Sequence, residues 1–235
     1  MPGLTTDTVT AKVLYSPPED GSKPQMYLSP PEGIPPKNYG FEEHIVQFEN
    51  VRGKEGAYSL DTAGFYFGKY SSNHQSFNND EEIQKEYYPE STELIKRLTG
   101  ASKVVPFNHT VRCRTEGDTG LDPRKRGPVP HIHVDQSSSA SYNRVLQHLP
   151  EDEANELLKR RFQIINLWRP ISHPAEDWPL AVCDFRSIDR EKDLVPVDFI
   201  LPDKVGETLA VRYNPQHKWK YLRGITPEEF ILIKV

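Results

Sequence analysis

Residues Pro130-His131-Ile132-His133-Val134-Asp135-Gln136 decide how the rest of this 235-residue chain is read. Two imidazoles and a carboxylate alternate there with apolar residues. Successive side chains of a strand point to opposite faces, so the spacing predicts a strand with His131, His133 and Asp135 on one face. Imidazole and carboxylate together are a ligand set for a catalytic divalent metal. No other stretch of the chain gathers ligands in this way.

Downstream of the motif the chain is mostly strand. Phe162 to Trp168 is almost continuously apolar, which predicts a strand buried on both sides. Leu180–Phe185, Val195–Ile200, Thr208–Tyr213 and Lys218–Leu222 alternate or cluster apolar residues between Pro, Asn and Gly signals and read as further strands. Between them, Ser141–His148 and Pro150–Lys159 read as helices, the second with an acidic first turn and a basic end that suit the helix dipole. A last strand opens at Phe230 and stops at Val235 in mid-pattern, which predicts a fold lacking its C-terminal strand or strands.

Upstream, Lys103–Val105 and Phe107–Arg112 read as strands, followed by a Gly/Pro-rich loop from Glu116 to Pro128. Asn78-Asn79-Asp80 before Glu81-Glu82 is a helix start. That helix is expected to run to about Tyr88, break at Pro89, and resume from Ser91 to Leu98 with Gly100 as its stop. Gly64-Phe-Tyr-Phe-Gly68 is an aromatic stretch suited to core packing or a pocket wall, and His44–Phe48 suits a short strand. Residues 1–40 are rich in Pro, Ser, Thr and Gly, with Pro pairs at 17, 30 and 35. They read as an extended arm laid over a single domain spanning 41–235, with a short strand at Thr10–Tyr15.

Bulk properties agree with a β-rich enzyme-sized domain. The 21 prolines disfavour long helices. A net charge of −5 gives no general reason to bind nucleic acid or an anionic membrane. Two local basic runs, Arg124-Lys125-Arg126 and Lys159-Arg160-Arg161, read as a solvated loop and a helix end. Two cysteines, Cys113 and Cys183, make no disulfide framework. With no signal-peptide pattern and no apolar run of membrane-spanning length, a cytoplasmic protein is expected, with a small molecule as its partner. Oligomeric state is not legible.

Several metal motifs share the letters of the opening stretch. A cupin would place Glu a few residues on, where Ser137, Ser138 and Ser139 stand. A dinuclear zinc motif of the His-x-His-x-Asp-His type would place His where Gln136 stands. An amidohydrolase-type barrel would carry His-x-His early and alternate helices after it. His133-x-Asp135 instead suits two arms of a two-histidine, one-carboxylate triad, which holds Fe(II) on one face and leaves positions open for 2-oxoglutarate and oxygen. The third arm would be a histidine on a late strand. His148 at a helix end, His173 in a Pro-rich loop and His217 in a turn are poor candidates. A zinc hydrolase using His131, His133 and Asp135 stays open on the residues alone.

Longer blocks carry a family resemblance. His133-Val-Asp135-Gln-Ser, Arg144-Val-Leu-Gln-His-Leu-Pro150, Ile165-Asn-Leu-Trp-Arg-Pro-Ile171, Pro179-Leu-Ala-Val-Cys-Asp184, Tyr213-Asn-Pro-Gln-His-Lys-Trp219 and Thr226-Pro-Glu-Glu together resemble the AsaB-type hydroxylase/desaturase family of fungal secondary metabolism. The resemblance runs from about Tyr58 to Val235. It implies a mainly β (α+β) fold with flanking helices around a double-stranded β-helix, or jelly-roll, core. It implies Fe(II) and 2-oxoglutarate, with His133 and Asp135 as metal ligands. It places Trp168 and Arg169 in a block near the pocket, and His131 and Gln136 join them as candidate pocket residues. It also implies that the distal His, and an Arg for the 2-oxoglutarate carboxylate, follow the point where this chain stops. Two functions are therefore carried forward: a hydroxylase or desaturase of a small secondary metabolite, and a catalytically degenerate metabolite-binding jelly roll.

Overall fold

In the computed structural model, residues 7–16, 22–113 and 127–235 are described. The Pro17-Pro18 pair, most of the 116–128 loop and the Arg124-Lys125-Arg126 run lie outside them.

The described residues form three sheets with few helices. The first has the order β1 (Thr8–Tyr15), β3 (Glu42–Asn50), β10 (Trp219–Tyr221), β7 (Ala181–Cys183). The second is β4 (Phe65–Lys69), β11 (Glu229–Lys234), β6 (Ile165–Trp168), all antiparallel. The third is β2 (Gln25–Tyr27), β8 (Leu194–Ile200), β9 (Val205–Val211), β5 (His133–Val134). Most of the downstream strand expectations are met within a residue or two. The expected N-terminal arm supplies β1 and β2, both hydrogen-bonded into sheets, and Tyr15 at the end of β1 is fully buried.

The alternation of β11 organises the core. Ile231 and Ile233 face one cluster with Val51, Tyr58, Phe65 and Phe67. Phe230 and Leu232 face the other way, toward Leu94 and Ile95 of helix α2 (Tyr88–Thr99). One strand thus fills two cores, each buried apolar side chain contributing about 1.5–3 kcal/mol.

Four expectations change. Pro89 does not break the helix. Asn79 caps α1 (Asp80–Glu82), accepting from the Glu81 N–H at 2.9 Å, and the chain passes through a π-helical turn, Ile83–Tyr87, directly into α2. A proline inside an α-helix lacks an N–H and presses on the carbonyl four residues back. Placed just after a wider turn, Pro89 sits at the start of the next helical segment, where both costs are relieved. Gly100 then ends the helix in the left-handed region (φ 69°), as expected.

Residues 103–111 form no strand. Pro106 interrupts them, and Val105 and Val111 stay exposed. Strand β6 is half-buried along its length, not buried on both sides, because it is the edge of its sheet. Finally, the motif strand is only His133–Val134 long, with His131 attached to Leu14 by a single parallel bridge. Its partner is β9, where His133 lies opposite Ala210.

After the motif, Ser137 accepts from the Ala140 N–H at 3.1 Å and caps α3 (Ser138–His148). Helix α4 (Glu151–Leu157) and the short α5 (Arg190–Asp193) complete the set used below.

Candidate metal centre

His133 and Asp135 meet. The His133 Nε2 and an Asp135 oxygen, Oδ1, stand 3.2 Å apart with both side chains part-exposed. The other ring nitrogen, Nδ1, is 3.0 Å from the backbone carbonyl of His131 and donates to it. This is the bond that fixes an imidazole with Nε2 as its ligand atom. The second Asp135 oxygen, Oδ2, accepts from Asn166 Nδ2 at 2.5 Å. One nitrogen and one oxygen therefore converge, while the remaining polar atoms of both groups are held from behind.

Charge in the pair is polarised. Burial works against the His133 cation, but the bonds to Asp135 and to the His131 carbonyl outweigh it and raise the His133 pKa. The His133 hydrogen bond holds the Asp135 carboxyl below the usual range, aided by Asn166 and by the Arg112 charge. His131 goes the other way. Burial, then the charges of His133, Lys37 and Arg112, push it down to about 4, so it is neutral at pH 7.

His131 lies beside the pair: its ring centroid is 5.2 Å from that of His133, and it stacks on Phe41 at 4.8 Å. Gln136 follows Asp135, half-buried. Trp168 is two residues along β6 from Asn166, hence on the same strand face, and packs on the Phe65/Ile231 cluster. Arg169 is not brought to the pair. Its guanidinium lies over Tyr87 (5.5 Å) and Phe230 (6.0 Å), on the helix side of the sheet, with Nη1 3.3 Å from the Tyr70 carbonyl. Its Nε and Nη2 are buried with no hydrogen-bond partner among the described residues.

Sequence reasoning does not single out Asn166, although it stands in the same Asn-x-Trp-Arg-Pro block as Trp168 and Arg169. Alternation along β6 turns it away from Arg169 and toward Asp135.

The later histidines sit elsewhere. His217 is buried between Asp193 (2.9 Å) and the Tyr15 hydroxyl (3.1 Å). His148 stacks on Phe107, and His173 bonds to the Pro174 carbonyl. Among the described residues no three His, Cys, Asp or Glu side chains gather as a metal site. The donors present fit two of the three protein positions of a two-histidine, one-carboxylate centre, with the back of each donor satisfied. A cleft of about 800 Å³ is lined by Tyr58, Asp184, Arg186, Asn214, Lys218 and Lys220, and neither member of the pair borders it. Arg186 is bonded to Asp184 within it, so the cleft is salt-bridged polar surface with no convergent ligand set.

Comparison with known proteins gives the family. A family model described as "YDMC: Oxidoreductase/YMDC permease-like domain" matches residues 13–235. Among the described residues no helix is long and apolar enough to cross a membrane. The chain is 33% identical to the hydroxylase/desaturase efuI of Hormonema carpetanum, over 81% of this chain and 70% of that protein. It is 32% identical to the hydroxylase/desaturase CTB9 of Cercospora beticola, over 98% and 85%. The solved structure of the iron and alpha-ketoglutarate-dependent endoperoxidase NvfI superposes with a TM-score of 0.83 at 27% identity, covering 97% of this chain and 84% of that one. The chain belongs to this fungal hydroxylase/desaturase family, an Fe(II)/2-oxoglutarate oxygenase-like family of secondary metabolism.

Proposed function

We propose that this chain is an oxidoreductase that hydroxylates or desaturates a small secondary metabolite, with Fe(II) as its metal and 2-oxoglutarate as cosubstrate, on a jelly-roll core. The observation that carries it is the convergence of His133 Nε2 and Asp135 Oδ1, each held from behind, in a chain of this family. When bound, iron and the oxo acid would activate dioxygen, the oxidant that removes hydrogen from a C–H bond, with the oxo acid oxidised alongside the substrate.

The chain's own residues do the rest. His133 and Asp135 hold one face of the ion. Asn166 fixes the carboxylate so that one oxygen is presented and the other is occupied. His131, neutral, borders the site without adding charge. Trp168 and the apolar cluster behind it keep water from the β6 side.

Anaerobic titration with Fe(II) and 2-oxoglutarate tests the reading. A visible charge-transfer band is expected, lost in His133→Ala and Asp135→Ala. No band in the parent chain removes the oxygenase reading for this chain.

A second reading has its own observation, the absence of a third ligand beside the pair among the described residues. On it, the chain is a catalytically degenerate jelly roll that binds metabolite without metal. Metabolite binding that persists in EDTA and in His133→Ala supports this alternative.

A further inference from the structure

Residues 37–41 cross the third sheet on the His133 side. Their backbone is pinned to β2, the edge of that sheet. Lys37 bridges to Met26, the Tyr27 N–H donates to the Pro36 carbonyl at 2.7 Å, and the Asn38 side chain accepts from the Gln25 N–H at 2.7 Å while donating to the Lys23 carbonyl at 3.0 Å. Tyr39 packs on Val195, Val197 and Ala210, the last directly opposite His133. From this strap three side chains, Lys37, Tyr39 and Phe41, build a continuous shelf. The Lys37 Nζ is 3.7 Å from the Phe41 ring centroid and 5.9 Å from that of Tyr39. Tyr39 meets Phe41 edge-on at 5.7 Å, Phe41 stacks on His131 at 4.8 Å, and His131 adjoins His133 at 5.2 Å.

Lys37, like Lys85, Lys204, Lys218 and Lys234, has no carboxylate partner among the described residues; what sets it apart is its place over the Phe41 and Tyr39 rings. It is half-buried, and burial lowers its pKa. An ammonium group that has given up hydration for ring faces, with no counter-ion, favours an incoming anion. A single ammonium suits a carboxylate better than a phosphate, which draws on several convergent donors. The flanking rings of Tyr39, Phe41 and His131 suit a flat or apolar skeleton.

We propose that Lys37 pairs with a carboxylate of a molecule bound at the His133–Asp135 centre, the rings beside it seating that molecule's apolar part. This rests on the proposed metal-site reading. The carboxylate is either the far one of 2-oxoglutarate or one on the metabolite.

Binding to the full chain, parent and Lys37→Met, decides it, read by calorimetry with four probes: 2-oxoglutarate against pyruvate, which lacks the far carboxylate, and 3-phenylpropionate against its primary amide. The parent is expected to prefer at least one acid over its partner, and Lys37→Met to lose about tenfold or more for that acid alone. Lys37→Arg should keep the preference. A loss confined to 2-oxoglutarate assigns the cosubstrate, and one confined to 3-phenylpropionate assigns a metabolite acid. No preference in the parent, a preference that survives Lys37→Met, or equal losses for acid and neutral partner overturn the proposal. Mn(II) binding, followed separately by electron paramagnetic resonance, should be unchanged in Lys37→Met. If the parent takes no Mn(II), the metal reading fails by itself, and the 3-phenylpropionate pair on metal-free protein still decides the role of Lys37.

Discussion

Asn166 Nδ2 reaches across from β6 to Asp135 Oδ2 at 2.5 Å, joining the edge of the second sheet to the motif at the edge of the third. The pleat of β6 separates this side chain from Arg169, which lies on the helix side. Outer partners of metal ligands typically contribute about 10–100-fold to affinity. Asn166→Ala should therefore weaken Mn(II) binding by about that factor. Arg169→Met should leave Mn(II) binding unchanged while altering stability. Equal effects of the two substitutions would contradict the placement.

His217 separates a structural histidine from a ligand. It bridges two buried groups, donating through Nε2 to Asp193 and accepting at Nδ1 from Tyr15, whose oxygen also accepts from Trp219 Nε1 at 2.8 Å. Asn214 and the Asp189 N–H supply further bonds to Asp193. His217→Ala removes the imidazole from a buried hydrogen-bond network, leaving the Tyr15 hydroxyl and one Asp193 bond unmet, and should cost about 1–3 kcal/mol in denaturant melts. Mn(II) affinity should not move, and a large loss of it would make His217 a ligand after all.

Gly68 is a contact position. A Cβ built there would stand 2.3 Å from Phe230 Cζ and 2.8 Å from Tyr66 Cε1. Phe230 is 1% exposed and has nowhere to retreat. Gly68→Ala should destabilise by about 1–3 kcal/mol, as overpacking does. Gly56→Ala, where a Cβ meets open space, should stay within about 0.5 kcal/mol. Thermal melts of the two variants make the comparison.

Glu229 gives the chain an acid limb. Burial alone would raise its carboxyl. The Arg52 bond, the Thr226 N–H and the charges of Arg52 and Lys69 outweigh burial and hold it below the ordinary glutamate value. The unfolded chain thus binds this proton more readily than the folded one. The stabilisation is complete above the unfolded pKa and is lost as pH falls through the depressed folded value. Unfolding midpoints should drop below about pH 4.5, and Arg52→Met should shrink that drop.

Part of the site was legible in a strand's two-residue period. Spacing expects His131, His133 and Asp135 on one strand face; the strand is only His133–Val134, and His133 and Asp135 meet because the chain bends directly after it, with Asp135 tied to Asn166. Arg169 was grouped with Trp168 by adjacency in a sequence block, and the same period sends neighbours to opposite faces. The helix break at Pro89 followed from α-helical geometry, which a π-helical turn evades. The strands expected at Lys103–Val105 and Phe107–Arg112 have no sheet neighbour to pair with among the described residues, and local pattern there yields to the lack of a partner. The Lys37 shelf lies nearly a hundred residues from the motif, and only the folded chain shows that they touch.

The central place of β11 bears on how the molecule assembles. It pairs with β4, some 160 positions earlier, and with β6, some 65 earlier. Until residues 229–234 dock, β4 and β6 have no hydrogen-bonded partner in their sheet, and Leu94 lacks the ring of Phe230. Such long-range closure is slow, and it leaves sticky edges waiting. A nascent chain paused short of residue 229 should therefore be held by chaperones and open to proteolysis between Phe65 and Thr99, and become resistant in one step once β11 inserts.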